Sequence, residues 1–178
     1  LLDVSKLESL LDKVQRGPVE LKPLLDSVFH EFDALAGDKD LSLRFHVRNF
    51  IVDSNANILE RIIRNLLSNA IRYTDNGGIL LACRQRGQSI WIEVWDTGRG
   101  IPEGSLEKIF ERFFQVEGDS NEGKKGFGLG LSIVKRLADM LRHRIDIRSQ
   151  AGRGTVFRIE VPVFEVAAHE ARPVDPDA

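Results

Sequence analysis

The chain has one cysteine, one methionine and one tyrosine among 178 residues. A single thiol, Cys83, excludes an internal disulfide and fits a reducing compartment. It lies in a strand-like run and reads as a small buried hydrophobe rather than a reactive group. No apolar stretch approaches the roughly 18 residues of a membrane-crossing helix, and no signal-peptide pattern is present. The expectation is a cytoplasmic piece that makes no membrane contact of its own. It starts at Leu1 rather than methionine, so it is expected to be a fragment whose parent can carry membrane segments elsewhere. There is no basic run, and a net charge of −2 gives nucleic-acid binding no electrostatic support. There are also no internal repeats. With 42% hydrophobic and 29% charged residues, the composition is that of a globular domain large enough for a real core.

One stretch organises the rest: IIRNLLSNAIRYT, residues 62–74. Ile58, Leu59, Ile62, Ile63, Leu66, Leu67 and Ile71 have the three-and-four spacing of an amphipathic helix. Its other side carries Arg61, Asn65, Ser68, Asn69 and Arg72. Asparagine costs a few tenths of a kcal/mol against alanine in a helix. Two asparagines one turn apart, followed by arginine, offer amide oxygens to a divalent ion and a guanidinium to an anion. Read alone, the stripe is equally a solvated helix face.

Upstream, Val4, Leu7, Leu11 and Val14 repeat like the seam of a coiled coil, and Gly17-Pro18 ends that segment. Val19–Leu21 predicts a short edge strand. Pro23 then opens a helix that Gly37 closes. Residues 41–47 alternate as a strand with Leu41, Leu43, Phe45 and Val47 inward, and Ile51-Val52 forms another. Asp53, Ser54 and Asn55 offer N-caps to the central helix. Beyond the turn at 75–78, ILLACRQ and SIWIEVWD form a hairpin through Arg86-Gly87-Gln88. Residues 96–115 read as a glycine loop and a short helix bearing Ile109, Phe110, Phe113 and Phe114. Residues 116–125 read as a mobile lid. A glycine-rich entry at 126–130 leads into a helix, and a last hairpin turns at Ala151–Gly154. Residues 163–178 read as a linker or disordered tail. The sum is α+β: a two-layer sandwich with a mixed sheet of about five strands and three main helices on one face.

Three glycine loops bear on function. Asp96-Thr97-Gly98-Arg99-Gly100 ends a strand, where a carboxylate can accept from an exocyclic amine beside a flat ring. Gly126-Phe127-Gly128-Leu129-Gly130 opens a helix, a natural phosphate site. Gly152-Arg153-Gly154-Thr155 is a tight turn with a hydroxyl. Each alone is more often just a turn. GDSNEGKK at 118–125 imitates a P-loop, but Lys125 stands where serine or threonine must bind magnesium. Glu103 and Leu131 occupy the third-glycine positions of a dinucleotide fingerprint, which is therefore not supported.

Taken in order, residues 65–74, DTGRG at 96–100, IFERFFQ at 109–115, GFGLGLSIVKRL at 126–137 and GRGT at 152–155 resemble the catalytic ATP-binding domain of sensor histidine kinases. That domain has the Bergerat fold shared with gyrase, Hsp90 and MutL. The resemblance spans about residues 18–162; residues 1–17 look like the end of the helix that carries dimerisation and the phosphoacceptor. It implies Mg²⁺ ligation by Asn69, with Asn65 beside it on metal or phosphate and Arg72 on phosphate. Tyr73 would flank adenine and Asp96 would accept from its amine. Gly98, Gly100 and Ile101 would shape the base pocket, and Thr155 would help hold the base. Phe110, Phe113 and Phe114 would pack the base of the lid. Gly126, Gly128, Leu129, Gly130 and Leu131 would line the phosphate cradle, with Lys124 or Lys125 reaching the γ-phosphate.

The implied reaction is transfer of the γ-phosphoryl group of Mg-ATP to a histidine. The implied partners are ATP or ADP, the phosphoacceptor hairpin of the same protein in a homodimer, and a response-regulator receiver domain. Relatives that hydrolyse ATP carry a glutamate four residues before the metal asparagine. Asn65 stands there and cannot take a proton, which favours transfer to an imidazole over hydrolysis. His30, His46, His143 and His169 are not in a phosphoacceptor setting, so the acceptor is expected upstream. A non-catalytic nucleotide-binding signalling module is the alternative. Arg142 replaces a common helix-ending glycine. Trp91 and Trp95 share a strand face with Glu93, and either dock a neighbouring domain or pack under the first helix.

Overall fold

The computed structural model describes residues 14–115 and 129–165. Strand β1 (Gly17–Glu20) leads directly into helix α1 (Leu21–Gly37). Then come β2 (Ser42–His46), β3 (Ile51–Ser54) and helix α2 (Ala56–Tyr73). The hairpin β4 (Gly78–Arg86) and β5 (Ser89–Asp96) precedes helix α3 (Gly130–Leu141), and β6 (Arg144–Gln150) and β7 (Gly154–Pro162) complete the chain.

The main sheet has the order β2-β4-β5-β7-β6, with β2 parallel to β4 and the other pairs antiparallel. β1 and β3 form a separate antiparallel pair. Val163 bridges Val52, and the Phe164 N–H donates to the Ile51 carbonyl, tying that pair to the end of β7. The expected mixed sheet and three helices are therefore present, and the two short strands pair with each other outside the sheet.

Alternation along the strands sorts their side chains onto two faces. Ile79, Leu81, Ile90, Ile92, Val94, Phe157, Ile159 and Val161 join one buried cluster with Leu25 and Val28 of α1, Leu59, Ile62, Ile63, Leu66 and Leu67 of α2, and Val134 and Leu141 of α3. The helices thus cover one side of the sheet, and α2 crosses its centre over β5. The Asn55 side chain caps α2 by accepting from the Ile58 N–H at 3.2 Å. That cap orients the helix so that its apolar stripe meets the sheet and its asparagine stripe faces the opening.

α1 ends at Gly37 as expected, and the left-handed residue beyond it is Asp40 (φ 56°). One expectation needs correction. Residues 105–115 form no α-helix. A 3₁₀ turn at Glu103–Ser105 continues in i→i+3 bonds such as Lys108 N–H to the Ser105 carbonyl. At the end of this stretch Phe113 takes φ 64°, which a right-handed helix forbids. That turn buries Ile109 and tucks Phe110 and Phe114 against the core, but leaves Phe113 71% exposed. The expected lid, with Lys124, Lys125, Gly126 and Gly128, lies outside the described residues.

Candidate functional site

On α2, Leu66, Leu67, Ala70 and Ile71 are buried, while Asn65, Asn69, Arg72 and Tyr73 are half-buried along the other side. The Asn65 amide nitrogen donates to the Arg61 carbonyl one turn back at 2.8 Å. Its oxygen is thereby turned toward the start of α3. A methyl group placed on Gly130 would lie 3.6 Å from Asn65 Oδ1 and 3.6 Å from both amide atoms of Asn69. The asparagine pair and the N-terminal turn of α3 thus face each other at close range. Leu129 is the N-cap position of α3 and offers no capping side chain. The helix's free amide groups stay available to an anion.

Next to the asparagine pair lies a cavity of about 630 Å³, its open mouth included. Asn69, Tyr73, Asp96, Gly100, Ile101, Leu131 and Thr155 line it, together with Ala70, Arg99, Ile109, Phe114, Gln115 and Phe157. Its apolar walls with a few convergent polar groups are those of small-molecule sites in general.

The end of β5 positions the acid. Asp96 Oδ1 accepts from the Gly98 N–H at 2.8 Å. Burial pushes the Asp96 carboxyl above the usual carboxylate range, while backbone donors from Gly98 and Thr155 pull the other way. Gly98 admits the chain here because a Cβ would strike the Tyr73 carbonyl and Asp96 Oδ1. Gly100 is left-handed (φ 69°), and a Cβ there would collide with the Gln150 carbonyl. The Thr74 hydroxyl, beside Gly98, is buried without a hydrogen-bond partner among the described residues. It is a spare polar group beside the Asp96 loop.

The structure brings most expected residues together. Asn65, Asn69 and Gly130 meet at one end, and Tyr73, Asp96, Gly100, Ile101, Leu131 and Thr155 at the other. Arg72 stands one turn from Asn69 with its guanidinium 5.8 Å from the Tyr73 ring. Gly98 and Phe110 back the wall rather than line it.

Two residues escaped the sequence reading. The Arg99 guanidinium lies 4.6 Å from the Tyr73 ring centroid and joins the cavity wall. Only its place between two glycines hinted at it. The Ser149 hydroxyl accepts from the Ile101 N–H at 2.8 Å, donates to the Gly154 carbonyl at 3.0 Å and pairs with Thr155 Oγ1 at 2.9 Å. It joins two loops of the site from a strand end that carried no motif.

Residues 54–165 match the family model described as histidine kinase-, DNA gyrase B-, and HSP90-like ATPase. Sensor histidine kinase AtsR of Burkholderia thailandensis is 37% identical over 169 residues, covering 92% of this chain and 28% of that protein. Sensor histidine kinase RcsC of Escherichia coli K12 is 32% identical over 167 residues, covering 92% of this chain and 18% of that protein. The chain thus spans under a third of these relatives. Among solved structures, full-length ShkA in complex with AMPPNP superposes with a TM-score of 0.76 at 28% identity, covering 88% of this chain and 33% of that one. The catalytic domain of histidine kinase ThkA superposes with a TM-score of 0.71 at 27% identity, covering 84% of this chain and 98% of that one. The match takes in α2, the Asp96 loop, the start of α3 and the Thr155 turn, all the elements that build the cavity. The chain belongs to the family of histidine kinase-, DNA gyrase B- and HSP90-like ATPases.

Proposed function

We propose that the chain binds Mg-ATP and donates its γ-phosphoryl group to a histidine on a separate dimerisation domain. One observation carries this reading. The cavity has a half-buried acceptor, Asp96, at one end and an asparagine pair facing a helix N-terminus at the other. Adenine would sit between Tyr73, Ile101 and Thr155 and donate its amine to Asp96. The phosphates would lie toward α3 and Arg72, with Lys124 or Lys125 reaching the γ-phosphate. Asn69, with Asn65 beside it, would hold Mg²⁺, which offsets phosphate charge when bound. A chelated ion needs oxygen donors, and the Asn65 back-bond that turns its oxygen outward fits that need.

Asn65 offers no base to activate water, and a neutral imidazole needs none. This chain would therefore act by positioning and charge neutralisation rather than by proton abstraction. Residues 1–17 would be the end of the helix bearing the phosphoacceptor, residues 18–162 the catalytic domain and 163–178 a linker. The phosphoacceptor hairpin of a homodimeric parent and a receiver domain would be its partners, in the cytoplasm. Among the described residues no helix is long and apolar enough to cross a membrane.

Incubating the chain with labelled ATP, magnesium and a phosphoacceptor hairpin supplied in trans tests the proposal. Label on the hairpin histidine is the expected result. ATP binding without transfer would leave a non-catalytic nucleotide module, and steady hydrolysis by the chain alone would indicate an ATP-driven clamp.

A further inference from the structure

We propose that the sheet face turned away from the helices is a docking surface for a carboxylate-rich protein segment. Both tryptophans of the chain, Trp91 and Trp95, lie on it. Neither belongs to the buried cluster under the helices, which takes Ile90, Ile92 and Val94 from the same strand. Trp91 pairs with Arg84 on β4 and Glu160 on β7, and Trp95 with Leu80 and Val156. Both rings are half-buried, and no described helix covers them.

This layer is built rather than incidental. The Arg158 guanidinium lies 5.3 Å from the Trp91 ring and 5.6 Å from the Trp95 ring. Arg158 Nε donates to Glu93 Oε1 at 2.8 Å. The other Glu93 oxygen accepts from Arg84 Nη2 at 2.6 Å and Trp95 Nε1 at 3.2 Å. Glu93 is only 1% exposed although it points away from the core. The indoles are thus fixed in place before any partner arrives, which lowers the entropy lost on association. Rigid tryptophan and arginine are also the residue types that dominate binding energy at protein interfaces.

Charge selects the partner. The strand register puts six arginines on this face, Arg44, Arg84, Arg86, Arg144, Arg148 and Arg158, against the carboxylates Glu93, Asp146 and Glu160. A chain of net charge −2 therefore concentrates positive charge on one side. Arg158 is neutralised by Glu93 and Asp146, while Arg44, Arg86, Arg144 and Arg148 are exposed, Arg148 with Asp146 at 3.9 Å. Complementarity calls for an acidic surface. Carboxylates interleaved with the arginines would repel a continuous phosphate backbone or a uniformly anionic bilayer. A protein segment can place its acids over the arginines and apolar groups over Trp95 and Leu80.

Because both indoles sit on this face, the intrinsic fluorescence of the whole chain reports its occupancy. Titration with poly-L-glutamate is expected to give a saturable change that weakens with added salt. The variant Arg86→Glu/Arg144→Glu, altered at two exposed positions flanking Trp91, should bind about tenfold more weakly. Its circular dichroism and ATP affinity should match those of the parent. Should that variant fail to fold, Arg86→Gln/Arg144→Gln carries the test, with a loss of about threefold. A short DNA duplex or phosphatidylglycerol vesicles should leave the fluorescence unchanged. The proposal is overturned by no response to polyglutamate, by an undiminished response in the folded variant, by an equal response to DNA or vesicles, or by self-association that alone accounts for the change.

Discussion

Asp96 and Thr155 stand opposite each other on β5 and β7, and the Thr155 backbone N–H opposes the rise that burial imposes on the Asp96 carboxyl. The strand pair at the centre of the sheet therefore also fixes the carboxylate that lines the cavity. Ser149, on the next strand, holds Thr155 Oγ1 at 2.9 Å. The site is rigid on this side because it is continuous with the sheet.

Burial raises the Asp96 carboxyl, so keeping it ionised costs folding stability that a neutral side chain would not. Asp96→Asn should leave stability unchanged or slightly raised, and should weaken nucleotide binding by at least about tenfold through loss of a charged acceptor. Thermal melting alongside calorimetric titration of an ATP analogue measures both effects. Unfolding without a change in affinity would contradict the assignment.

His143 is 3% exposed, and its Nε2 lies 2.8 Å from Ser54 Oγ. Burial pushes the imidazole down to about 4, with Arg16 adding to the shift and Asp53 opposing it. A depressed histidine is neutral in the fold, so its contribution is complete above the ordinary value near 6.5 and is lost as pH falls toward about 4. Between neutral pH and about pH 4.5, the wild type should lose about 2 kcal/mol more stability than His143→Gln. Urea unfolding at the two pH values checks it.

Glu93 is pushed up by burial, but bonds from Arg84, Arg158 and Trp95 outweigh this and hold it below the ordinary 4.5. Glu93→Gln removes the buried partner of the Arg158 guanidinium and should cost about 3 kcal/mol at neutral pH. The gap between the variant and wild type should close as pH falls from 4.5, where the unfolded chain takes up the proton, through the lower value of the folded state. Denaturation midpoints across that range decide it.

Arg142 ends α3 with φ 56° and ψ 35°, a left-handed residue carrying a Cβ. Arg142→Gly should raise stability by up to about 1 kcal/mol and leave nucleotide affinity unchanged. A lower melting temperature would show that the arginine side chain contributes more than its backbone conformation costs.

The periodic elements were legible because their chemistry is local. The α2 stripes and the β4–β5 turn follow from spacing or from one special residue, whereas the left-handed end of α3 at Arg142 was suggested only by the family resemblance. The stretch around Phe113 was not legible, because aromatic residues at helical spacing fit a helix until one residue turns left-handed. Most of the site could be read from its glycines and asparagines, whose backbone freedom and amide oxygens point to a use. Ser149 could not, since its role depends on Ile101 and Gly154 arriving from other parts of the chain. Arg99 was equally hidden, because contact with Tyr73 across the cavity leaves no spacing in the sequence.

The account rests on the asparagine pair facing the start of α3, and Asn69→Ala tests it most directly. Calorimetric titration of the wild type with an ATP analogue should show tight binding in magnesium and weak binding in chelator. The variant should bind weakly in both, with its melting temperature in the absence of nucleotide unchanged. Equal affinity and equal magnesium dependence in the two proteins would contradict the account.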